Sequence, residues 1–166
     1  MAFVAFLKAT VLGCAGSATL LGALALGGAA QSQDAKVIPI AAGWWLVAAM
    51  AGIFIGRKND ASPAVARLLS DAPTTPSLPD ARPARMLLNR LWPLLLATLG
   101  AGAFAFIAPQ IPAMAAGFPV IWSLAWRRQE KAVQAIEERD GVRFFLEKTS
   151  PFKPIKLVRT PWFRAG

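Results

Sequence analysis

Four apolar blocks, set apart by short polar stretches, dominate this chain. Residues 9–30 run for 22 positions without a charge and residues 37–56 for 20. At 1.5 Å per residue the first block makes a helix of about 33 Å, enough to cross a bilayer core. Residues 91–126 form a further charge-free run of 36 positions, with Pro109-Gln110-Ile111-Pro112 at its middle. No single crossing needs that length, and proline breaks a helix by removing a backbone donor. The run therefore predicts a transmembrane helical hairpin over 88–126, with arms at 88–108 and 111–126. The last arm is short and contains Pro119, and Trp122 and Trp126 mark its exit from the bilayer. The expected fold is an all-α membrane bundle of four transmembrane helices with a small cytoplasmic β-hairpin or β-meander at the C-terminus.

The polar stretches predict different things. Residues 57–87 carry proline at 63, 73, 76, 79 and 83 and read as a largely extended Pro/Ala-rich linker. Within it, Ser62-Pro63 offers an N-cap and an N1 proline for a short helix over 64–69. That piece is fit to lie on the membrane surface or to dock on a partner. In the tail, 127–166, Asp140-Gly141 is a type I′ turn signal followed by strand composition at 142–148. A second strand is expected at 155–159, after a loop with Pro151 and Pro154. Residues 132–138 read as the partner strand, the alternative being a helix capped by Gly141. So few strands are marginal alone, and need the bilayer, the spans or another subunit to cover their apolar face.

Charge orients the chain. Of 18 Lys/Arg residues, six lie in 57–90 and ten in 127–166. The 31–36 loop holds one charge of each sign, and the 109–112 turn holds none. The positive-inside rule then places 57–90, the tail and both termini in the cytoplasm of an inner (plasma) membrane. Composition agrees: 55% of residues are hydrophobic and 16% charged, against about 25% charged in soluble domains. A net charge of +9 on a soluble domain would suggest nucleic acid. Here cytoplasmic loops account for it, and no specific nucleic-acid binding is expected. Residues 25–30, Ala-Leu-Gly-Gly-Ala-Ala, also fit the end of a cleaved signal peptide. The lone early cation Lys8 and the long apolar run favour a retained span. Cys14 reads as a small residue packed inside that span rather than as a lipidation site.

Small residues predict where the spans meet. Ala48, Gly52 and Gly56 form a ladder at spacing four; the first span carries Gly13 and Ser17, and a second stripe of Ala15, Thr19, Ala23 and Gly27. Lipid supplies no hydrophobic drive between helices, so close backbone approach matters. These faces are expected to meet each other within the bundle rather than to make a homodimer.

The chemistry is narrow. With no histidine and one cysteine, the chain makes no internal disulfide, no His/Cys zinc site, no His-ligated haem and has no His base. No Ser/His, Cys/His or Gly-rich phosphate motif is present. The span cores lack ionisable groups, which argues against an ion-coupled transporter acting alone. Thr10, Ser17, Thr19, Thr98 and Ser123 are expected to bond to their own helix backbones. Glu137, Glu138 and Asp140 cluster, as Mg²⁺ ligands do, but Arg139 and Arg143 can neutralise a solvated cluster there. No catalytic residue, metal or cofactor is assigned. The tail mixes cations with aromatics, and Arg143, Phe144, Phe145, Phe152, Lys153, Lys156, Arg159, Trp162 and Phe163 are the expected contacts for anionic lipid headgroups or a protein partner.

The tail also carries a likeness, over Ala135-Ile136-Glu137-Glu138-Arg139-Asp140-Gly141-Val142-Arg143-Phe144-Phe145 and then Ser150-Pro151-Phe152-Lys153-Pro154-Ile155-Lys156-Leu157-Val158-Arg159-Thr160-Pro161. It resembles the end of uncharacterised four-span bacterial membrane proteins, across the last third and the preceding hairpin. The resemblance implies a multi-pass membrane protein and brings no activity or site. The expected role is therefore a non-enzymatic accessory or assembly subunit, or a membrane-anchored interaction module, with a membrane-protein partner or a homo-oligomer. The alternative is a small channel or transporter component acting as an oligomer.

Overall fold

The computed structural model describes residues 1–32, 36–58, 60–75, 83–147, 149–150 and 153–161. The elements are α1 (Phe3–Ser32), α2 (Val37–Ile55), α3 (Pro63–Ser70), α4 (Pro83–Ala103), α5 (Gln110–Trp126), α6 (Gln129–Asp140), β1 (Val142–Leu146) and β2 (Leu157–Pro161). The chain is mostly helical, with one small antiparallel sheet. Three helices, over Phe3–Gln31, Val37–Ile55 and Pro83–Ala103, are long and apolar enough to cross a membrane. α5 has 17 residues, about 25 Å of helix. The first helix begins six residues earlier than the charge pattern predicts, because Lys8 neither breaks nor caps a helix.

The chain divides into two compact units. The helical unit comprises Thr10–Arg57 and Leu91–Arg127; the mixed unit comprises Met1–Ala9, Lys58–Arg90 and Arg128–Gly166.

Small residues fill the inside of the helical unit and large ones face out. Cys14, Ser17, Leu21, Ala25 and Ala29 form the buried stripe of α1, while Leu12, Leu20 and Leu26 are exposed. On α2, Ala41, Ala48 and Gly52 are buried, while Leu46, Met50 and Phe54 are exposed. A helix in water hides its large apolar side chains; in lipid nothing is gained by hiding them, and small residues let backbones close in.

α2 and α5 run parallel along one seam. Val37 and Ala41 cluster with Ala113, Trp44 meets Gly117, and Gly52 and Gly56 meet the 121–125 turn of α5. A Cβ on Gly52 would stand 2.8 Å from the Leu124 Cβ and 2.9 Å from the Ile121 carbonyl oxygen. The Trp44 and Trp45 indoles donate across the seam to the carbonyls of Met114 (2.9 Å) and Ala113 (2.8 Å). The Ala48-Gly52-Gly56 ladder thus lies on α5, not on the first span as expected. Spacing reveals that a backbone comes close, not whose backbone it is. The expected second stripe of α1 also corrects: Ala15, Thr19, Ala23 and Gly27 are exposed. The close approach of α1 is made instead by Gly28, where a Cβ would collide with the Ala105 carbonyl. Gly13 sits at ordinary contact distance from Leu91 and Leu94 of α4.

In the mixed unit, α3 starts as its caps predict: Pro63 is in the first turn and the Ser62 hydroxyl accepts from the Val65 N–H at 3.4 Å. Its apolar face is not laid on a membrane or offered to a partner, because Val65 and Leu69 are buried within this chain. The linker is therefore folded over 60–75. Residues 132–138 are helix, not the expected strand. Gln129, Ala132, Val133 and Glu137 form a buried helical stripe, and Ala, Gln, Glu and Lys favour helix. Gly141 ends α6 in the left-handed conformation, φ 63°, so Asp140-Gly141 is a helix stop rather than a hairpin turn.

β1 and β2 pair antiparallel from Val142↔Pro161 to Leu146↔Leu157, forming a single hairpin whose connection is residues 147–156. Both of its edges are taken by distant segments. Ala2 bridges Phe145, and the Leu146 N–H donates to the Met1 carbonyl at 3.0 Å. On the other side Thr74 bridges Arg159, with the Arg159 N–H on the Pro73 carbonyl and the Thr75 N–H on the Arg159 carbonyl. A marginal pair becomes the centre of a four-segment sheet with covered edges. Phe3, Leu7, Val65 and Val133, contributed by three separate stretches, are the largest fully buried side chains of this unit.

Candidate functional site

The basic–aromatic tail is the sequence-predicted site, and the sheet register divides it. Side chains alternate across a strand. Arg143 and Phe145 therefore share a face with Thr160 and Val158, and Phe144 and Leu146 share the other with Arg159 and Leu157. Phe144 is 3% exposed and so is no contact residue: it belongs to the unit's interior. The alternation signals this once the strand is in place: Val142, Phe144 and Leu146 make a wholly apolar face, whereas Phe145 shares its face with Arg143. Phe145 is half-buried, while Arg143, Lys153, Lys156 and Arg159 are exposed. The predicted residues Phe152, Trp162 and Phe163 lie outside the described residues.

Two arginines organise what remains. The Arg159 Nε donates to the Thr74 hydroxyl at 2.7 Å, locking β2 to its neighbouring segment. Arg90 donates to the Lys153 carbonyl at 2.7 Å and to the Thr149 hydroxyl. Its guanidinium thereby holds the β1–β2 connection. The connection thus lies within one side chain's reach of the last charge before the 91–126 apolar run.

Gln129 went unnoticed in the sequence. Its buried amide accepts from the Ser62 N–H at 2.8 Å and donates to the Asp60 carbonyl at 3.4 Å, tying the start of α3 to the start of α6. The carboxylates do not act as a cluster. Glu137 accepts from the Phe144 N–H at 2.9 Å, and Asp140 pairs with Arg139 at 2.7 Å. Among the described residues no group of three or more His, Cys, Asp or Glu side chains could share a metal. Within the helices, Thr19, Thr98 and Ser123 return their hydroxyls to Ala15, Leu94 and Val120 of their own backbones, and Ser17 is buried.

Burial raises the Glu137 carboxyl above its ordinary value of 4.5, with the Phe144 N–H and Arg143 opposing and Glu138 reinforcing. The folded state then binds this proton more tightly than the unfolded state. Its contribution to stability is complete below the unfolded value and is lost as pH rises through the folded one. Glu137→Gln keeps the acceptor and is expected to flatten that part of the pH–stability curve. Glu137→Ala orphans the Phe144 N–H and is expected to cost about 2 kcal/mol. Thermal unfolding of the purified variants across the mildly acidic range checks both. A Gln variant with the wild-type slope would show that the slope arises elsewhere.

No protein-family model, curated protein or solved structure matches the chain.

Proposed function

We propose that this chain is a four-crossing protein of the plasma membrane, both termini cytoplasmic, that works without enzymatic chemistry as an accessory or assembly subunit. Its basic mixed unit would be the interaction module and its spans the anchor. One observation carries the reading. Three segments separated by two apolar hairpins fold into one compact unit, which supports a threading in which each hairpin returns to the side from which it left. In this reading α5 brings the chain back across, despite its length. Its parallel run beside α2, from Ala113 to Ala125, supports a crossing of the same depth.

Fifteen of the eighteen Lys/Arg residues fall within the mixed unit: one in 1–9, five in 58–90 and nine in 128–166. The positive-inside rule makes that side the cytoplasm. Lys153 and Lys156, on the β1–β2 connection that Arg90 holds, would be the contacts for anionic headgroups. Each such cation contributes about 1 kcal/mol. The closed α2–α5 seam, with backbone contact at Gly52 and Gly56 and two indole bonds, favours an anchor over a channel subunit.

Reporter fusions test the threading: a phosphatase active only outside the cell should be silent after Gly166 and active within the 104–109 turn. Gentle extraction and mass measurement test the role. A stable hetero-complex that Lys153→Glu/Lys156→Glu weakens is the expected result. A pure homo-oligomer that conducts ions in liposomes would replace this reading with the channel one.

A further inference from the structure

The N-terminal ends of α2 and α5 leave a half-open cavity of about 230 Å³. Its floor is apolar, with Val37, Ala41 and Ala113 all buried, and Ile40 and Met114 stand exposed at its mouth. An apolar cavity of about 150 Å³ already admits benzene, whereas pockets for drug-sized ligands run to about 300–1,000 Å³. This volume suits a slender length of hydrocarbon chain.

The mouth carries one cation. Lys36 lies on it and is the only Lys/Arg between residues 9 and 56. Gln110 adds an amide beside it. α2 and α5 both begin here, and neither has a side-chain N-cap bond. The positive ends of two helix dipoles therefore add to the lysine's charge. A hydrocarbon slot beneath a cationic rim matches an amphiphile with a negative head.

We propose that this cavity holds one acyl chain of an anionic phospholipid, with the phosphate over Lys36. The inference rests on the membrane reading, in which this end faces away from the cytoplasm. It is therefore a different site from the headgroup contacts at Lys153 and Lys156.

Native mass spectrometry of the detergent-purified full chain tests it, titrating phosphatidylglycerol against phosphatidylcholine of identical acyl chains. One phosphatidylglycerol should bind about fivefold more tightly than phosphatidylcholine, as expected for a single cation near a headgroup. Lys36→Glu should erase the difference and Lys36→Arg should keep it. Met114→Trp, or Ile40→Trp if the first variant melts early, narrows the mouth and should reduce binding of both lipids. Equal binding of the two lipids by the wild type, or an intact preference in Lys36→Glu, overturns the charge assignment. Unchanged binding in a tryptophan variant that melts like the wild type overturns the cavity. Displacement of the lipid by inorganic phosphate alone would make this an anion site without a chain. A chain missing from the membrane fraction would refute the membrane reading itself, before any lipid is counted.

Discussion

Gly52→Ile is expected to destabilise the helical unit by about 3 kcal/mol, at the upper end for overpacking a filled interior. A Cβ at position 52 already sits 2.8 Å from the Leu124 Cβ and 2.9 Å from the Ile121 carbonyl. The Ile121 oxygen is backbone and cannot turn aside, so the helices must separate. Separation also lengthens the Trp44 and Trp45 bonds to α5 on the same seam. Gly43→Ala is the matched control. Nothing lies within 4 Å of its Cβ position, and replacing a mid-helix glycine by alanine gains about 0.5–1 kcal/mol. Melting midpoints in one detergent compare the two. If Gly52→Ile melts with Gly43→Ala, the α2–α5 seam does not hold the bundle.

Phe3→Ala and Leu7→Ala are each expected to cost about 3 kcal/mol through the cavity left behind. Phe3 is 2% and Leu7 0% exposed, and both lie just past the Met1–Ala2 segment that covers the β1 edge. The effect should appear far along the chain, as faster proteolysis in the 142–161 hairpin. Lys8→Ala, at an exposed position, should leave the cleavage rate unchanged. The same contacts weigh against cleavage of residues 1–30 as a signal peptide, which would strip the sheet of an edge and the unit of part of its core. Intact mass should retain those residues, and a protein beginning at Gln31 would refute this account of the sheet.

Some features were legible because their causes are local. The second span was expected at 37–56 and is Val37–Ile55; a charge at either end of an apolar run is enough to mark it. Pro109 announced the start of α5 at Gln110, since proline acts on its own backbone, but the preceding arm ends at Ala103 rather than 108 and Pro112 lies inside α5. Ser62-Pro63 announced α3 in the same way. The helix over 132–138 was misread because seven mixed residues fit a strand as well as a helix. The buried Val133 and Glu137, four apart, settle the period only once their neighbours are in place. The candidate surface was half legible. Its cations are exposed as charge requires, but register alone sets Arg143 and Arg159 on opposite faces and turns Phe144 inward.

By itself the sequence determined which stretches are apolar enough to leave water, where several helices start or stop, and where along the chain the positive charge collects. Each depends on transfer free energy or a backbone restriction within a few residues. Only the tertiary structure decided that the Gly52 ladder meets α5, that residues 1–2 and 73–75 edge a sheet, and that three distant segments share one core. Those outcomes depend on pairing across long stretches of chain, where a small residue or an unpaired edge accepts any partner that geometry brings to it.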